Sequence, residues 1–187
     1  VEDMAPNVED MGSAVEDMDP ADDRQPLGFE PTPGDHSGVF TSGGFERTFI
    51  MRIPPGYDPD GAHPLVFVLH GGNGSGAAIK DSLGFDERAD AIGAIVVYPD
   101  GIEKNWSDAR ETTDAFEAGV DDVLFFEEVL DHFEAHLAVD ASRIWFSGAS
   151  NGGLMSQLVA CELSERVAAV APVIALLPSK QVQNCEL

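Results

Sequence analysis

The chain is short of positive charge and of cysteine, and it has no long apolar run. Of its 187 residues only 10 are Lys or Arg, against 34 Asp or Glu, giving a formal net charge of −24. So few cations cannot neutralise phosphates, which excludes nucleic acid and anionic membranes as partners. No stretch of 18 or more apolar residues occurs, so no segment reads as a membrane-spanning helix and membrane insertion is not expected. The only cysteines, Cys161 and Cys185, allow either one disulfide closing the segment after Val173 or two free thiols. His132 and His136 stand four apart, a spacing that can hold a metal ion. The acid that a zinc peptidase needs directly after its first histidine is displaced here to Glu134. Both histidines therefore read as solvated helix-face residues, and neither a metal nor any other cofactor is expected.

The charge is unevenly spread. Residues 1–36 hold 11 acids and a single base, Arg24, and Val-Glu-Asp-Met recurs from Val1, Val8 and Val15. A period of seven suggests a coiled coil, yet Pro6 and Pro20 interrupt it and acids fill much of the rest. Residues 1–37 are thus predicted to be a disordered acidic tether, and residues 38–187 the folded domain. The chain starts at Val1 rather than Met, so we expect a processed or partial product whose leader has been removed. A spacer of this kind suits a protein that is secreted, periplasmic or tethered at the cell surface.

Beyond residue 38 the pattern changes. Residues 45–53 are strand-like, and residues 65–69 and 94–98 are continuous apolar runs, as expected of strands buried on both faces. Residues 77–92 and 120–137 read as helices. Strand signals return at 144–146 and 167–173, with a further helix leaving Ser150. Strands alternating with helices predict an α/β fold, with a mostly parallel sheet covered on both faces.

Chemistry concentrates at Gly148-Ala149-Ser150-Asn151-Gly152, where a short apolar run gives way to a helix-compatible segment. Two glycines two residues either side of a serine permit a sharp strand-to-helix turn that exposes the hydroxyl at the carboxyl edge of the sheet. Ser150 is the candidate nucleophile. The Asn151 amide, at the start of the helix, is one candidate oxyanion donor. A second glycine loop, His70-Gly71-Gly72-Asn73-Gly74, follows the strand at 65–69 and offers the Gly72 amide as the other. It lacks the Gly-Lys-Ser/Thr ending of a phosphate-binding loop. His70 reads as a brace for this loop.

The stretches PLVFVLHGGNGSG at 64–76, NWSDAR at 105–110 and RIWFSGASNGGLMSQLVACE at 143–162 carry a family resemblance. They resemble the polyhydroxybutyrate depolymerase and feruloyl esterase group of α/β-hydrolases, over roughly residues 45–185. The resemblance implies an α/β-hydrolase-type fold and a secreted or periplasmic serine esterase in a disulfide-tolerant compartment. The implied substrates are small or polymeric esters: polyesters, or aromatic acids esterified to plant polysaccharides. It also places Trp106 near the substrate cleft. In this fold the chain order is Ser, then Asp or Glu, then His. After Ser150 the chain has no His and no Asp, only Glu162, Glu165 and Glu186. We therefore expect a chain truncated at its C-terminus, its triad acid and base lying in a missing segment, and the chain as it stands to be inactive. A non-catalytic carbohydrate- or polymer-binding relic, or a serine peptidase on the same scaffold, are the alternatives.

Overall fold

A computed structural model of the chain describes residues 26–176 and Cys185. Most of the tether expected at 1–37 lies outside the described residues. The part that is described starts the fold earlier than residue 38. Leu27 is already buried in the core, and strand β1 runs Gly34–Ser42. It pairs in antiparallel register with β2, Phe45–Ile53, from Gly34↔Ile53 to Ser42↔Phe45. Its inward positions are Gly38, Phe40 and Ser42, too little apolar alternation to mark a strand in the sequence. Gly38 is needed because the Phe49 ring lies over it; a Cβ there would sit 2.2 Å from that ring.

The remaining strands are β3 His63–Leu69, β4 Ile95–Pro99, β5 Val139–Ala149 and β6 Ala169–Val173, in the spatial order β1-β2-β4-β3-β5-β6. β3 runs parallel to both β4 and β5, and β5 runs parallel to β6; β1 and β2 supply the antiparallel margin. This is the mostly parallel α/β sheet that the apolar runs predict. The predicted helix at 77–92 is two helices, α1 Gly76–Leu83 and α2 Phe85–Ile92, because Gly84 between them takes a left-handed conformation at φ 55°. A short helix, α3 Asp114–Glu117, precedes α4 Asp122–His136, and α5 is Asn151–Glu162.

Side chains of the central strands divide between two faces, as the two-residue period requires. Leu65, Phe67, Leu69, Ile95 and Val97 pack with Phe126, Val129, Phe133 of α4 and Met155, Val159 of α5. Val66, Val68, Val96 and Tyr98 pack on the other face with Ile79 of α1 and Ala89 of α2. Phe67, Phe126 and Phe146 form an aromatic knot, Phe67 stacked on Phe146 at 4.6 Å and Phe126 edge-on to Phe146 at 5.1 Å. At the sheet margin β6 pairs, among the described residues, with β5 alone; Val173 at its end and Ile174 and Leu176 beyond it are exposed.

Two polar features sit inside this apolar frame. Asp121 caps α4, accepting a hydrogen bond from the Leu124 amide. Asp122 is buried instead, paired at 2.6 Å with Arg47 of β2, whose guanidinium lies over the Phe125 ring at 4.0 Å. Burial pushes the Asp122 carboxyl upward, against the pull of Arg47. The second is His132, which the spacing placed in solvent. Only 5% of it is exposed, and it packs 5.1 Å from Phe40, on the apolar stripe of α4. Cys161, near the end of α5, is bridged to Cys185 across a separation of 24 residues, which decides between the two open thiol states.

Removing one partner of a buried ion pair strands the other charge, so Arg47→Ala is expected to cost about 3–5 kcal/mol in urea unfolding. The double variant Arg47→Met/Asp122→Leu should cost clearly less. His132 supplies a second test. Burial, with His136 alongside, lowers its pKa from 6.5 to about 4. The unfolded chain thus takes up this proton first. Its contribution to stability is whole above about pH 6.5 and declines as the pH falls towards about 4. Thermal melts at pH 7 and pH 5 should show a smaller acid-induced drop for His132→Leu than for the wild type.

Candidate active site

β3 and β5 are parallel neighbours in register from Leu65↔Ile144 to Leu69↔Gly148, so both segments leave the sheet at the same edge. The glycine loop at 70–74 and the turn at 148–152 therefore meet. Ser150 is exposed, at φ 52° and ψ −114°, a backbone conformation that a residue with a side chain holds only under constraint. The constraint is visible. The Ser150 amide donates to the Val173 carbonyl at 2.9 Å, and the Leu154 amide donates to the Ser150 carbonyl at 2.9 Å. A Cβ on Gly148 would lie 2.4 Å from the Gly152 carbonyl oxygen, and one on Gly152 would lie 2.4 Å from the oxygens of both Leu69 and His70. Only hydrogen fits at these two positions.

The glycine loop touches this elbow. A Cβ on Gly71 would be 3.7 Å from the Ser150 Cβ, and one on Gly72 would be 3.9 Å from the Asn151 Cβ. The Asn151 N–H stands at the first position of α5, where no intrahelical acceptor exists. His70 is buried and braces the loop as expected. The Gly101 amide donates to its Nε2 at 2.9 Å, so Nδ1 carries the proton and donates to the Gly71 carbonyl at 2.8 Å. Burial lowers its pKa and keeps it neutral.

Trp106 was expected at the substrate cleft, yet none of its surface is exposed. Its indole N–H donates to the His70 carbonyl at 2.9 Å, and its ring packs on His70 and Phe126. The indole is a strut beneath the site, with no face open to a ligand. The side chain of Asn151 is likewise engaged. Its Oδ1 accepts from the Trp106 amide, and its Nδ2 donates to the Trp106 carbonyl and to Asp108. Asp108 had no assigned role in the sequence. One acid among 34 carries no sign of being buried; only its proximity to Trp106 hinted at it.

All five histidines have partners away from Ser150. His36 bonds the Thr32 carbonyl and His63 the Gly93 carbonyl, while His132 and His136 contact each other on α4. Glu162 is at the opposite end of α5, roughly 16 Å along the helix axis at 1.5 Å per residue. Glu165 follows it, exposed, and Glu186 lies outside the described residues. Among the described residues, then, an exposed serine, two candidate amide donors and their braces come together, and no imidazole joins them. No group of three or more potential metal ligands occurs among the described residues, and no described helix is long and apolar enough to cross a membrane.

The sheet order, with the serine turn following β5 and the glycine loop following β3, defines an α/β-hydrolase-type domain. The chain belongs to the esterase group of that fold that includes the feruloyl esterases. It is 33% identical to feruloyl esterase C of Emericella nidulans over 131 residues, 67% of this chain and 45% of that protein. It is 32% identical to feruloyl esterase B of Piromyces equi over 130 residues, 67% of this chain and 23% of that protein. An esterase-like protein of Nocardia uniformis is 34% identical over 138 residues, 73% of this chain and 40% of its own length. The chain therefore spans less than half the length of each of these curated relatives. Among solved structures, the acetyl xylan esterase of Aspergillus awamori superposes with a TM-score of 0.60 at 17% identity, over 73% of this chain and 50% of that one. A ferulic acid esterase of Anaeromyces mucronatus gives 0.58 at 19% identity, over 79% and 62%. No model of a known protein family matches the chain.

Because the backbones meet at Gly152, Gly152→Ala is expected to force β3 and α5 apart. It should lower stability by about 1–3 kcal/mol or more, read as a shift in the denaturation midpoint.

Proposed function

We propose that the polypeptide to which this chain belongs is a serine carboxylesterase that acts on acylated polysaccharides, feruloyl or acetyl esters in the first place and polyesters of hydroxy acids in the second. The observation that carries this reading is the strained, exposed Ser150 with the Gly71-Gly72 loop packed against it. In the reaction, Ser150 Oγ attacks the ester carbonyl. The Gly72 and Asn151 amides donate to the oxyanion as it forms, which favours the tetrahedral state over the planar ester. The alcohol leaves with a proton, and water then cleaves the acyl-serine. Both proton transfers require a general base. None of the five histidines supplies it, so the reading requires a base from outside the described residues. A location outside the cytoplasm accords with the Cys161–Cys185 bridge.

Among the described residues no imidazole partners Ser150, which permits a second reading, a polymer-binding module built on the same scaffold. Turnover separates the two. On the full-length polypeptide, methyl ferulate and p-nitrophenyl acetate should be hydrolysed, and Ser150→Ala should lower kcat by about 10³-fold or more. Turnover unchanged by Ser150→Ala would end the esterase reading. A full-length wild type that turns over no ester yet retains xylan would establish the binding one.

A further inference from the structure

We propose that Asp108 is a positioning residue for the oxyanion site. Through the Asn151 side chain and the Trp106 backbone, it holds the two amide donors at a fixed separation. The proposal rests on the esterase reading above and adds to it a third segment, residues 101–110, which neither donor belongs to.

The geometry is a chain of short bonds. Asp108 is 2% exposed, and its Oδ2 accepts from Asn151 Nδ2 at 2.6 Å. The same Nδ2 donates to the Trp106 carbonyl at 3.0 Å, and Asn151 Oδ1 accepts from the Trp106 amide at 2.8 Å. Both Nδ2 protons and one lone pair of Oδ1 are thereby engaged, so the orientation of the Asn151 amide group is dictated by a carboxylate at one end and an N–H at the other. A side chain pinned at three points fixes the backbone of the residue that carries it, its N–H included. From Trp106 the connection continues to the other donor. The indole N–H reaches the His70 carbonyl, the Gly101 amide reaches the His70 ring, and the Asn73 amide donates to the Lys104 carbonyl at 2.9 Å. Asn105 completes the contact: a Cβ on Gly72 would sit 2.9 Å from its Oδ1.

The location of Asp108 argues for positioning rather than bulk stability. A buried carboxylate costs desolvation energy, and its remaining side-chain partner, Arg110, is 42% exposed and two residues away. Such a local pair contributes little to holding the fold. The long-range bond from Asp108 is the one to Asn151, 43 residues on and immediately after the candidate nucleophile. Oxyanion donors act through fixed placement, and a displacement of about 1 Å can lower a rate about 100-fold.

The test uses the full-length polypeptide with Asp108→Asn, which keeps the shape, and Asp108→Ala. Leu27→Ala serves as a control that destabilises the domain through a core residue outside the three segments. Ester turnover and hydrogen exchange are measured on each. Positioning requires kcat to fall about 10- to 100-fold with KM within about twofold. It also requires faster exchange in peptides covering 70–76, 101–107 and 148–154, while the β1–β2 peptides stay as in the wild type. The proposal is overturned if kcat is retained in Asp108→Asn and Asp108→Ala. A loss matched by Leu27→Ala at equal melting temperature, or exchange that quickens throughout the domain, overturns it as well. Should Ser150→Ala leave turnover intact, the esterase reading falls on that result alone, and the exchange pattern still decides whether Asp108 orders the three segments.

Discussion

The contact between the Gly152 backbone and the carbonyl oxygens of Leu69 and His70 governs the geometry of this molecule. It brings the helix leaving β5 as close to the end of β3 as two backbones can approach. Everything at the site follows from that approach. Ser150 takes a positive φ and stands exposed, and the glycine loop after β3 comes to rest beside it. Parallel pairing of β3 with β5 makes the approach possible, since both strands then finish at one edge. The apolar layers on either face hold the sheet and its helices in place, so that strain at one residue is borne by the packing of many.

Around this contact the protein places charge in an unusual manner. Most of the described acids are exposed, yet Asp108 and Asp122 are buried within the same short region. Asp122 ties α4 to β2 through Arg47 and accepts from the Ser107 amide at 2.6 Å, while Asp108, next along the chain, turns to Asn151. Two carboxylates thus grip the loop at 106–108 from opposite ends. Thr113 adds a third hold through the Trp106 carbonyl. The loop has no regular secondary structure of its own, and these bonds stand in for it.

Much of the frame could be read directly from the residues. β2 was legible to the residue, because its aromatic and β-branched run is bounded by Pro54-Pro55. The continuous apolar runs of β3 and β4, and the Gly-x-Ser-x-Gly turn after β5, likewise declared themselves. Other features were hidden for physical reasons. β1 presents Gly38 inward, which no hydrophobic pattern marks, and Gly84 divides one helical period into two helices without interrupting the period. His132 and Trp106 were misplaced by analogous errors. Spacing says which residues share a helix face but not which face is buried, and a resemblance carries over a neighbourhood but not the direction in which an indole points. Asp108 lay in plain view among 34 acids. Burial alone distinguishes it, and burial of a single loop carboxylate leaves no trace in a one-dimensional pattern.

The margin of the sheet has its own consequence. Among the described residues β6 pairs with β5 alone, and apolar Val173 at its end and Ile174 beyond it are exposed. Such a border is adhesive towards any extended backbone, that of a second copy included. Against this stands the long-range repulsion between molecules that each carry a net charge of −24. Hydrogen bonding and apolar contact act at a few ångströms, whereas like-charge repulsion reaches over a Debye length, about 10 Å at 0.1 M salt and about 3 Å at 1 M. Acidity therefore opposes association through any such border, and it does so best in dilute electrolyte.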